Sequence, residues 1–420
     1  MTKATENGGP SRKRGIVATA LFPPVRVRFV VALLLTFFPL GLLYPLDYPA
    51  GELLTLCCWI WVFPSPVGCL SLGLLPLIPG STCGYFAFNL FCLIATLAIA
   101  SSAFRSREFH LKELVGLHKF ARICMAATLG IAAVQSVTDP YIWISVFSNM
   151  RLESGRGAGL KFEPSQLASL LALHLLFLTG RAESMRAARE PLHTQMSLFW
   201  EGIWAIVATL ALTRSFTVLI VAACFAPALF LRRRHLMLTL SAFAAGVVVG
   251  VAALGDRIGE AVDTSGGSMT DLITESVGSW RNVPDFLILS NLGDFLVPGS
   301  PAEVRIKITT CAVRMSPALV WIQNTFSTFS AAGVTVGLLA TAGIFIGGIT
   351  VGLKGLSSAQ STRLSWLMMY FAAWFFMAKW DPSAWIVLGL LPLMHKLNQL
   401  RPERRDAGLT AELQPGVMEP

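Results

Sequence analysis

The chain has 420 residues, of which 54% are apolar and only 14% charged, against a charged share of about a quarter in ordinary soluble domains. That balance excludes a soluble enzyme. The net charge of +9 is spread over short segments and forms no single basic face, which speaks against a nucleic-acid partner and for membrane topology.

Residues 1–28 read as a basic cytoplasmic tail, with no small-residue cleavage site behind a short apolar core, so the first membrane helix is expected to be retained. Hydrophobic runs then fall at Phe29–Tyr44, Pro49–Phe63, Val67–Pro79, Cys83–Ala103, Ala121–Val137, Ser165–Thr179, Met196–Thr213, Phe216–Leu231, Leu236–Leu254, Ala331–Leu353, Leu364–Ala378 and Trp385–Met394. The expected fold is all-α, a polytopic transmembrane bundle of about twelve helices over residues 29–397. Pro49–Phe63 and Val67–Pro79 are short for a span and flank Pro64 and Pro66, so together they can form one broken or re-entrant element. Residues 398–420 read as a disordered cytoplasmic tail.

With both termini in the cytoplasm, most of the 33 Lys and Arg lie inside, including Arg12–Arg14, the Arg105–Arg122 loop, Arg181–Arg189, Arg232–Arg234 and Lys396–Arg405. Asp47, Glu52, Asp139, Glu163 and Asp381 lean outward. Two outward loops are long, about 138–164 and 255–330, and function is sought there. In the later loop, Ser300-Pro301-Ala302-Glu303 has the form of a capping box before an amphipathic helix over Val304–Met315.

The first outward loop carries Arg151, Arg156, Lys161 and Glu163 directly before an apolar helix beginning near Ser165. Glu163 before Pro164 suits a helix start, and the bland reading is a cap. Beside guanidinium groups the same carboxylate is placed to take a proton from a hydroxyl, while the cations suit phosphate. A surface ion-pair cluster competes with that reading. Arg214, in the tight turn Thr213-Arg214-Ser215, either snorkels to headgroups or binds an anion. Trp280 and Arg281 pair an aromatic ring with a cation, suited to sugars and phosphate, or anchor an ordinary loop.

No histidine falls in either outward loop, so a histidine metal site is not expected there; His174 lies inside a hydrophobic helix and His118 beside a cytoplasmic loop. Paired-carboxylate metal motifs and phosphate-binding glycine loops are also missing, and no metal or other cofactor is expected. Cys57, Cys58, Cys69, Cys92, Cys124 and Cys224 read as small apolar fillers. Cys83 and Cys311 leave a disulfide or two free thiols open.

The segment Arg156-Gly157-Ala158-Gly159-Leu160-Lys161-Phe162-Glu163-Pro164-Ser165, leading straight into an apolar helix, resembles a motif of the O-antigen ligase and polymerase-like superfamily. Its best likeness is to exopolysaccharide and O-antigen polymerases. The turn Thr213-Arg214-Ser215, the long late outward loop and the hinge Trp380-Asp381-Pro382-Ser383-Ala384 are similar to features of that family. The resemblance covers Arg151–Leu397. It implies a multi-pass protein of the bacterial inner membrane that joins undecaprenyl-diphosphate-linked oligosaccharide repeat units at the periplasmic face, without metal or nucleotide. Glu163 would then serve the acceptor hydroxyl and Arg156 and Arg281 the leaving diphosphate, with Arg151, Lys161, Arg214 and Trp280 binding substrate. Implied partners are the lipid-linked donor and acceptor, membrane lipids, and chain-length and export proteins. The ligase branch carries a histidine in the late loop, which this chain lacks, favouring polymerase over O-antigen ligase. The paired arginine motifs of some polymerases do not align on Arg151 or Arg281.

A secondary transporter of an anionic solute is the alternative from another class, on the strength of the broken segment around Pro64, Pro66 and Leu74–Leu77. No matching second break appears in the carboxy-terminal half, and Leu236–Leu254 and Ala331–Leu353 carry no charge, which also argues against a flippase.

Overall fold

A computed structural model of the protein describes residues 24–38, 50–77, 84–105, 111–146, 152, 155–161, 163–187, 192–230, 365–366, 368–369 and 383–391. Regular structure among them is entirely helical, with no strand. The α-helices are α1 (Val25–Phe37), α2 (Ala50–Val62), α3 (Pro66–Ser71), α4 (Gly84–Arg105), α5 (Leu111–Val137), α6 (Pro140–Val146), α7 (Leu167–Ala187), α8 (Leu192–Thr213) and α9 (Phe216–Phe230). Two helical stretches are long and apolar enough to cross a membrane, Val115–Val137 within α5 and His193–Thr213 within α8. Both present large apolar side chains outward, among them Ile123 and Val134 on α5 and Trp200 and Trp204 on α8, as a lipid-facing surface would.

Helices α1 and α2 form an antiparallel pair. Near the start of α1, Arg28 is buried and donates from Nη1 to the carbonyls of Trp61 and Val62 at 3.1 and 3.2 Å, satisfying two acceptors left open where α2 ends. Further along, Trp59 Nε1 donates to Thr36 Oγ1 at 2.9 Å, and Phe29 packs edge-on to both Trp59 and Phe63. The chain then breaks at Pro64, as the prolines predict, and restarts when Ser65 Oγ accepts the Gly68 N–H at 3.0 Å as the cap of α3. A 3-10 segment, Leu72–Leu77, follows directly.

Several elements exceed the apolar runs that foretold them. The stretch expected as the Arg105–Arg122 loop is helical from Leu111, and α7 continues past Arg181 to Ala187. In both places good helix formers such as Lys112, Glu113, Arg181 and Glu183 let the backbone ladder run on past the apolar zone, where no proline interrupts it. Apolar run length marks the apolar part of a helix and not its end.

The centre of the bundle is α7: residues 166–180 are all buried. It packs on α5, α8 and α9, antiparallel to α5 and α8, because late α5 and late α8 both meet the segment that enters α7. Helical residues 383–391 cross α4, where Gly389 brings its backbone against Ile99 and a Cβ would come within 2.9 Å of Ile99 Cγ2. Small residues at such crossings are what lets helices pack closely in lipid. The tails, residues 232–364 with the late outward loop and its amphipathic helix, and Cys83, Cys311, Arg151, Trp280, Arg281, Lys379 and Asp381 lie outside the described residues.

Candidate functional site

The segment entering α7 is held from both sides. Gln135, buried near the end of α5, accepts with Oε1 from the Ala158 and Gly159 N–H groups at 2.9 and 2.8 Å and donates from Nε2 to the Gly159 carbonyl at 2.7 Å. One amide side chain therefore satisfies three buried backbone groups. From the other side, the Gly157 N–H donates to the Leu212 carbonyl at 2.9 Å on α8. Two glycines make this approach feasible. A Cβ at Gly157 would run into the Ala132 carbonyl, and Gly159 adopts φ +65 with Thr128 Cγ2 2.6 Å from where its Cβ would be.

So anchored, the segment positions three of the expected residues. Arg156, 7% exposed, donates from Nε to the Thr213 carbonyl at 2.8 Å. The next residue in that turn, Arg214, has φ +48, a left-handed backbone that costs a non-glycine residue about 1 kcal/mol. Its N–H closes α8 on the Leu210 carbonyl at 2.8 Å, and its guanidinium lies over Gly155, Nη2 3.6 Å from the site of a Cβ there. Arg156 thus grips the turn that carries Arg214. Lys161, 1% exposed, donates from Nζ to Ser383 Oγ at 2.8 Å, linking the segment to the helical residues 383–391.

Glu163 stands at the cap position of the 3-10 turn Pro164–Gln166 that leads into α7, in extended backbone. Its carboxylate makes no capping bond to the backbone; Oε1 accepts the Ser165 hydroxyl instead. The cap reading thus holds for the backbone and fails for the side chain. The aromatic segment ahead of this loop is the short helix α6, whose Asp139 Oδ1 accepts the Tyr141 N–H at 2.9 Å and whose side chains are not buried.

A second cluster was not foreseen as a site. Deeper in the bundle, His118 of α5, His174 of α7 and Glu201 of α8 converge: Glu201 Oε1 lies 2.9 Å from His118 Nε2 and 3.4 Å from His174 Nε2. The two imidazoles stack with centroids 5.7 Å apart. Arg122 Nη1 approaches Glu201 Oε2 at 3.7 Å, and Arg181 Nη1 lies 3.2 Å from His118 Nδ1. Among the described residues, these three form the group whose donor atoms have the spacing of a metal site, all within 4.8 Å of one another. The separations along the chain conceal it. The legible signal was His174 and Glu201 standing among apolar residues of their helices, a costly placement in an apolar setting.

No family model, curated protein or solved structure matches this chain. The likeness to O-antigen polymerases rests on the quoted motifs alone.

Proposed function

We propose that the protein is a membrane glycosyltransferase that polymerises undecaprenyl-diphosphate-linked oligosaccharide units, acting at the membrane face where α7 begins. The observation that carries this reading is the anchored loop holding buried Arg156 on the very turn that bears Arg214. Two guanidinium groups fixed together suit the charge that develops as a diphosphate departs, because preorganised donors need no rearrangement at that moment. Glu163 would orient or deprotonate the acceptor hydroxyl, with the Ser165 hydroxyl fixing one carboxylate oxygen. The lipid-linked donor and acceptor enter along the bilayer, which fits a site at the end of an apolar bundle. Arg281, Trp280 and Arg151 complete the proposed set from outside the described residues.

The test is to replace the native gene with Glu163→Gln or Arg156→Ala and follow lipid-linked intermediates at matched protein level. Single repeat units accumulating on the carrier support the reading, and normal polymer in both variants overturns it. A secondary transporter of an anionic solute is the second reading, favoured by the ionisable cluster His118, His174 and Glu201 within the bundle. Loss of solute uptake with unchanged polymer would select it.

A further inference from the structure

The geometry points to a divalent transition-metal site at His118, His174 and Glu201, of the class that holds Zn²⁺, bracing α5, α7 and α8 away from the loop that enters α7. Two imidazoles and one carboxylate are a ligand set that borderline ions prefer, whereas Mg²⁺ and Ca²⁺ select oxygen.

The distances support it. Metal–ligand bonds of about 2.0–2.2 Å in a tetrahedral site place neighbouring donor atoms about 3.3–3.6 Å apart. Of the two pairs sharing Glu201 Oε1, the one with His174 Nε2 at 3.4 Å already has that spacing, and the one with His118 Nε2 at 2.9 Å would have to open by about 0.5 Å. Orientation adds a separate observation. His118 Nε2 and Glu201 Oε1 are both buried and 2.9 Å apart, yet their angle is poor for a hydrogen bond and neither has another partner. Buried atoms left unsatisfied are costly and call for an explanation, and an ion that takes the place of the ring proton between them supplies one. Three protein ligands leave a fourth position for water.

Two cations face the cluster and must be accounted for. Arg122 approaches Glu201 Oε2 and not the shared oxygen, and its side chain is 53% exposed, so it can remain an outer partner or turn away. Arg181 is the real obstacle. A guanidinium only donates, so its contact at 3.2 Å requires His118 Nδ1 to accept and puts the ring proton on Nε2, the ligating atom. Metal entry therefore requires Arg181 to leave Nδ1, which then carries the proton. Arg181 opposes loading both by charge and by tautomer. Metal-bound histidines ordinarily donate that other N–H to an oxygen acceptor, and an amide at position 181 offers one.

The experiment uses the full-length protein in detergent, stripped with a chelator and titrated with Zn²⁺ against a chromophoric chelator, and with Co²⁺ followed optically. Wild type is expected to bind one equivalent, with visible Co²⁺ bands of tetrahedral intensity. His174→Ala and Glu201→Gln should each abolish it, while His193→Ala, at an exposed position on α8, should not change it. Arg181→Gln should tighten binding by about tenfold, a gain that misfolding cannot produce. Absence of saturable binding in wild type, binding indifferent to His174→Ala, or weaker binding in Arg181→Gln would each overturn the proposal.

Discussion

Arg156 donates to the carbonyl of Thr213, the residue immediately before Arg214, so a single 2.8 Å contact between residues 57 apart in sequence ties Arg156 to the turn that carries Arg214. In the proposed reaction this makes Arg156 irreplaceable by lysine. A lysine can reach the carbonyl or the substrate but has no planar fork with which to hold one and face the other. Arg156→Lys should therefore accumulate unpolymerised lipid-linked units as Arg156→Ala does, with polymerisation down about 100-fold. Quantitative analysis of lipid-linked intermediates checks this, and rescue by lysine would mean that only charge matters.

Gln135 offers a graded test of the anchor. Gln135→Leu leaves two buried N–H groups and one carbonyl unsatisfied, at about 1–3 kcal/mol each. Gln135→Glu keeps an acceptor for both N–H groups and, taken up in its protonated form, can still donate to the Gly159 carbonyl, at the cost of holding that proton. Thermal unfolding in detergent should rank wild type above Gln135→Glu and Gln135→Glu above Gln135→Leu.

Gly157→Ala is expected to be more harmful than its size suggests. The added methyl has nowhere to go but the Ala132 backbone, and overpacking of this kind costs about 1–3 kcal/mol. Relief must come from α5 moving away, which would also pull the Gly157 N–H from Leu212. A paired Ala132→Gly change removes only a side chain and should not restore stability, because the clash is with backbone; recovery in the double variant would contradict the geometry.

The bond from Lys161 to Ser383 joins residues 222 apart. Hydrogen bonds to charged groups contribute about 1.5–3 kcal/mol, so a cycle of Lys161→Met, Ser383→Ala and the double variant should show coupling in that range. Measured unfolding free energies that simply add would show that the pair carries no interaction of its own.

How far the sequence could be read follows from what each feature depends on. Helical class, the break at Pro64 and the turn at Arg214 rest on local signals, proline chemistry and apolar run length, and all three are seen in the described residues. Helix ends at Leu111 and Ala187 were missed because apolar runs report the surrounding solvent. The cluster of His118, His174 and Glu201 could not be read at all as a cluster. It requires the pairing of three helices, and nothing in one helix announces the phase of another. Likewise Gln135 looked like an incidental polar residue until the loop it binds was in view.

The enclosure of α7 bears on how the protein is made. With residues 166–180 all buried and Arg181 and Glu183 one turn further on, α7 is not one of the two helices, α5 and α8, that among the described residues contain a stretch long and apolar enough to cross a membrane. It emerges from the ribosome after α5 but before α8, when only half of its sheath exists. Its enclosure is therefore completed only when α8 and α9 have been made and close the far side.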